Sequence, residues 1–156
     1  MRKAMLFLAF LGLAGFLWAA DPIIGTWKLN LPKSRLPPEM ANIEELSFVV
    51  RETGDDYELV TEGVQKDGSR FHEKMMWPKQ GGFRRYESGG PAEGILVLEM
   101  PIDEKGNGYS IRLRNGRAIS ITQWILSEDG RTWRAIGQAR TPEGKTYEGL
   151  QHWEKQ

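Results

Sequence analysis

Two histidines, His72 and His152, and three strand carboxylates, Glu58, Glu62 and Glu73, are the side chains of this 156-residue chain whose types could do chemistry. Their spacing assembles very little. His72 and Glu73 are neighbours on an extended segment, so they point to opposite faces and cannot share one site. A zinc ion would have to recruit scattered carboxylates without any recognisable ligand spacing. The chain has no cysteine, which removes thiol nucleophiles and disulfides alike. No Gly-x-Ser-x-Gly elbow sets a serine on a strained turn. The expectation is a protein that is not an enzyme, with no catalytic residue, no metal site and no cofactor. Glu58, Glu62 and Glu73 could face inward or belong to a wet outer face. The aromatic residues carry more information: among six tryptophans and six phenylalanines, Trp77, Trp124, Trp133 and Trp153 fall on four separate segments. Such rings could line a pocket for an apolar or aromatic ligand, or pack as ordinary core.

The elements that would position these rings read as strands. Turn signals recur every 8 to 12 residues, at Thr53-Gly54-Asp55-Asp56, Lys66-Asp67-Gly68, Ser88-Gly89-Gly90, Lys105-Gly106-Asn107-Gly108, Asn115-Gly116, Asp129-Gly130 and Pro142-Glu143-Gly144. Asn-Gly and Asp-Gly supply the positive φ of two-residue hairpins, so neighbours in sequence should be neighbours in the sheet. About ten strands are predicted, over 23–30, 44–52, 56–64, 69–77, 82–87, 94–101, 108–115, 117–126, 131–140 and 145–155. The fold class is therefore all-β, an antiparallel up-and-down meander. Leu46, Phe48 and Val50 alternate with Ser47, Val49 and Arg51, and Tyr109, Ile111 and Leu113 alternate with Ser110, Arg112 and Arg114, giving each strand an oily and a wet side. The proline-rich stretch from Pro32 to Asn42 is the expected lid or crossing loop.

Ahead of the strands, Arg2 and Lys3 precede an apolar run from Ala4 to Leu17, the layout of a secretory signal peptide over residues 1–20, cut at Ala19 or Ala20. That run is too short to span a bilayer, so no stable membrane anchor is expected and the destination is secreted or periplasmic. Residues 21–156 then form one domain, large enough for a core and too small for two. Without Arg2 and Lys3 the balanced formal charge becomes about −2, which argues against nucleic acid or an anionic membrane surface as partner. Arg84-Arg85 and Arg112-Leu113-Arg114 are local exceptions, read as solvated strand faces.

Gly25-Thr26-Trp27-Lys28-Leu29-Asn30, with Lys33-Ser34 close behind and an end reading from Tyr147 to Trp153-Glu154-Lys155-Gln156, resembles the secreted lipocalin-like, calycin-type β-barrel proteins of environmental bacteria. The resemblance implies a barrel of eight to ten strands with an internal cavity and no established chemistry. It also implies that Gly25 and Trp27 form the plug at its closed end. Lipocalins lay an arginine over that tryptophan from a late strand, a position that Lys155 or Arg140 would take here. The lipocalin Thr-Asp-Tyr motif has no counterpart, since Thr53-Gly54-Asp55-Asp56-Tyr57 comes early and reads as a turn. The function implied is an exported binding protein for a small apolar or amphipathic molecule held by Trp77, Trp124, Trp133 and Trp153. The alternatives are a haem-binding barrel similar to nitrobindins, with His152 as iron ligand, and an envelope interaction module without a small-molecule ligand.

Overall fold

The computed structural model describes residues 21–91, 93–140 and 144–156. The expected signal peptide, residues 1–20, lies outside them. Eleven strands follow in chain order: β1 Gly25–Leu29, β2 Ile43–Thr53, β3 Asp56–Gln65, β4 Arg70–Pro78, β5 Gly82–Phe83, β6 Arg85–Ser88, β7 Ile95–Glu99, β8 Gly108–Arg114, β9 Arg117–Leu126, β10 Thr132–Arg140 and β11 Thr146–Lys155. They form one sheet in the order β5-β7-β8-β9-β10-β11-β1-β2-β3-β4-β6. Every pairing is antiparallel, including the one between β11 and β1 that joins the chain's two ends. The result is a nearly closed up-and-down barrel.

The tight turns explain the meander. At the β8–β9 hairpin Asn115 and Gly116 both adopt positive φ, 50° and 75°, the backbone hand that matches the twist of the flanking strands. The strand count is eleven, where eight to ten were expected, because the segment predicted over 82–87 divides at Arg84. Up to that residue the chain bonds β7, and the Arg84 amide donates to the Val97 carbonyl at 2.9 Å. From Arg85 onward it bonds β4. The two sheet edges, β5 and β6, are thus consecutive in the chain, and one residue links them.

Inside, the two halves of the wall differ. The inward positions of β1 to β4 are large: Trp27, Leu29, Leu46, Phe48, Val50, Tyr57, Leu59, Met75 and Trp77 are all buried. On β2 the oily side faces in, as its alternation suggests. On β8 the opposite holds. There Ser110 is buried, while Tyr109 keeps 46% of its surface exposed. Ser110 faces Thr122 across the β8–β9 ladder, and Thr122 faces Gly137 and then Gly149 on β10 and β11. That half of the interior is built from small side chains. Among the described residues no helix is long and apolar enough to cross a membrane.

Candidate functional site

The end of the barrel at which β1 begins is sealed by the protein's own residues. Trp27 is fully buried, its indole N–H donating to the Ile23 carbonyl at 2.8 Å. The Lys155 ammonium sits 5.3 Å over its ring and is held there by the Pro22 carbonyl at 2.9 Å, a cation–π arrangement. Gly25 has φ +137°, and a Cβ there would lie 2.8 Å from Cε of Lys155. A side chain at that position would displace the lysine. Gly106 closes the floor from the β7–β8 connection, its carbonyl accepting from the Trp133 indole at 3.1 Å.

Above this plug the rings stack. Trp133 lies 5.5 Å from Trp27, 6.1 Å from Trp77 with planes 3° apart, and 4.8 Å from Trp124. Trp153 meets Phe48 edge-on at 4.5 Å. The structure therefore brings Trp77, Trp124, Trp133 and Trp153 together, but Trp77, Trp133 and Trp153 are buried core. Of the four, Trp124 alone lines the cavity above, its indole donating to Oγ of Ser110 at 3.0 Å.

The cavity occupies the small-residue half at the other end, with a volume of about 110 Å³. Its walls include Ser110, Ser120, Thr122, Ala135, Gly137 and Gly149, and its roof is the crossing segment around Pro37, Glu39 and Met40. The sequence positions that roof in three steps. Asn30 and Ser34 cap a single 3-10 turn, Leu31–Lys33. Arg35 then pairs with Leu150 through bonds of 2.8 and 2.9 Å, continuing the line of β1 along β11. Pro38–Met40 forms a second such turn across the opening. Both Glu39 oxygens lie 2.7 Å from the Tyr147 hydroxyl, which donates to them, and Oε1 lies 3.9 Å from Arg112. Burial, reinforced by Glu39, pushes the Tyr147 hydroxyl up to about 12. Gln151 reaches the Met40 sulfur at 3.2 Å.

One wall is ionic. Arg84 lines the cavity and donates through Nε to Oε1 of Glu99, which is 1% exposed. The guanidinium also lies 5.7 Å over the Trp77 ring. Oε2 of Glu99 is buried without a hydrogen-bond partner among the described residues. Burial raises the Glu99 carboxyl above its ordinary value against the pull of Arg84. Glu73, on the same inward face of β4 as Met75, is likewise raised by burial and opposed by Arg84 and Arg112. A carboxyl raised on folding stabilises the protein below its unfolded value, and that contribution disappears as pH rises through the folded value. The stability advantage of Glu73→Gln over wild type should accordingly grow as pH increases above the ordinary glutamate value of 4.5, as read by urea titration at successive pH values.

The remaining candidates face outward. Glu62 and His72 pair across the outer ladder 3.9 Å apart, and Glu58 bonds Arg51 and Lys74 at 3.1 Å each. His152 alternates with the buried Trp153 and Gln151, so it points out of the barrel, 3.6 Å from Glu154. This corrects the haem alternative, because strand parity keeps the imidazole from reaching an interior iron. Among the described residues no three His, Asp or Glu side chains group to hold a metal. A larger groove of about 410 Å³ lies on the outer face of β1 to β4, along Lys28, Ser47, Glu62 and His72. It shares no lining residue with the roofed cavity. Sequence reasoning missed Arg84, Glu99 and Tyr147; Glu99 was detectable, being in phase with the apolar Val97 on a short strand.

No protein-family model matches the chain, and no curated protein matches it. Among solved structures it is similar to the zebrafish ileal bile acid-binding protein complexed with cholic acid, at 11% identity and a TM-score of 0.45, covering 87% of this chain and 100% of that one. This chain's own strand pairing defines the barrel.

Proposed function

We propose that this chain is an exported, lipocalin-like barrel of calycin type that holds one small amphipathic molecule and catalyses no reaction. The observation that carries the reading is the hollow of small residues on β8 to β11, roofed by Pro37–Met40 and bordered by Arg84, Arg112 and Tyr147. The apolar part of the ligand would rest against Trp124, Val97 and Ala135, and its polar end would meet the two arginines. Cavities of roughly 150 Å³ take a single benzene ring, so about 110 Å³ suits a short chain or a group smaller than one ring and not a long lipid. The geometry thus favours the amphipathic ligand over the purely apolar one.

The test is a titration of protein recovered from the periplasm or medium, whose first residue should be Ala20 or Asp21 by intact mass. Short-chain and aromatic acids and alcohols would be added while tryptophan emission is followed, with competition between ligands. Saturable binding is expected, weakened roughly tenfold in Arg112→Ala by loss of a charge-assisted contact. Absence of saturable, competable binding across the panel would leave the reading without support, and an intact Met1 would overturn export.

A further inference from the structure

The outer wall of the barrel divides as sharply as its interior. Among the described residues, the six most exposed large apolar side chains are Phe83, Leu96, Met100, Tyr109, Ile121 and Ile136. All lie on the outward side of one continuous stretch, β5 and β7 to β10 with the residue following β7. Register ties them together: Phe83 faces Leu98, Leu98 faces Ile111 and Ile111 faces Ile121, a row across four strands, with Leu96 opposite Leu113 beside it. Isolated exposed apolar residues need no explanation, but a contiguous patch marks a surface that meets something.

Charge identifies what it meets. β7 to β10 contain a single acidic residue, Glu99, and it is buried. Every exposed charged side chain on them is an arginine: Arg134 and Arg140 on the outward side with Ile136, and Arg112, Arg114 and Arg117 at the rim of the mouth, in phase with the inward Ser110. Of these only Arg112 has a carboxylate within 4.0 Å among the described residues, and that is Glu39 at 3.9 Å. The other half of the wall carries mixed charges in ion pairs, such as Lys28 with Glu45 and Lys74 with Glu58 and Glu87. A near-neutral total hides this segregation. A second copy of the chain docking through the same face would set arginines against arginines. A bilayer with anionic headgroups offers hydrocarbon to the aliphatic row and the opposite charge to its rim, where arginine stems lie along apolar surface with their heads in the headgroup layer.

We infer that the outer face of β5 and β7 to β10 is a docking surface for an anionic lipid bilayer. Arg114, Arg117 and Arg140 lie at strand ends on the side of the cavity mouth, beside Arg112 and Tyr147, so docking turns that mouth toward the lipid.

The inference is tested by co-sedimentation of the protein, as recovered from cells, with vesicles of phosphatidylglycerol and phosphatidylethanolamine or of phosphatidylcholine alone. Preferential binding to the anionic vesicles is expected, falling at least about tenfold in Leu96→Glu with Ile121→Glu and losing its anionic preference in Arg117→Glu with Arg134→Glu. Any contribution from the apolar residues 4–17 is common to all these proteins. Both substitutions are at solvent-exposed positions, and an unchanged melting temperature verifies the fold. Binding untouched by the face variants, equal binding to phosphatidylcholine, or no vesicle binding together with a dimer that the same variants dissolve would each overturn the inference. None of these outcomes depends on whether the cavity takes a ligand.

Discussion

Trp27→Ala is expected to remove about 3–5 kcal/mol of stability, the range for deleting a buried aromatic whose site cannot collapse. Collapse is blocked on every side. Trp133 and Phe48 are themselves fixed in the stack, 5.5 and 6.5 Å away. The floor is held by Gly106, where a Cβ would already lie 2.6 Å from Leu126. The substitution also orphans the buried Ile23 carbonyl, which accepts the indole N–H, and leaves Lys155 without its aromatic platform. Urea unfolding followed by circular dichroism measures the loss. A change under about half a kcal/mol would mean that the plug does not hold the barrel closed.

Glu99→Ala should be comparably severe, about 3–5 kcal/mol, because it takes from the Arg84 guanidinium its buried hydrogen-bonded carboxylate and leaves the Met75 sulfur, the Trp77 ring, Tyr86 and the field of Glu73 around it. The informative comparison is the double variant Arg84→Met with Glu99→Leu. Replacing a buried ion pair by side chains of similar volume is often neutral or stabilising, so the double variant should recover most of what the single one loses. If both are equally unstable, packing volume and not charge burial is what the pair contributes. Thermal melts of the three proteins at neutral pH decide between these outcomes.

The meander was legible in the sequence because turn chemistry is local: Asn115-Gly116 and Asp129-Gly130 need nothing distant to act. Lys155 comes to lie beside Trp27 because the first and last strands pair, with Trp27 opposite Lys155 in the register. Which residues line the cavity was not legible. Alternation separates the two sides of β8 but does not say which is inside, and the structure buries Ser110 while exposing Tyr109. Arg84-Arg85 reads as a solvated pair until Glu99 is seen waiting across the ladder for the first of them. Residue type alone does not separate a tryptophan that lines a cavity, as Trp124 does, from those that fill the core, as Trp77, Trp133 and Trp153 do. Strand parity puts His152 outside, one residue from the inward Trp153.

The single residue joining β5 to β6 makes the barrel a garment with a seam. β5 holds two register pairs with β7 and β6 three with β4, whereas β3 and β4 share nine. Segments with few ladder bonds open first and most often, so the wall unbuttons along residues 82–88 before it yields anywhere between β1 and β4. Arg84 with Glu99 is the rivet at that line, and Arg84 borders the cavity. On the function proposed above, a ligand would enter sideways through the parted cloth while the collar formed by Pro37–Met40 stays fastened.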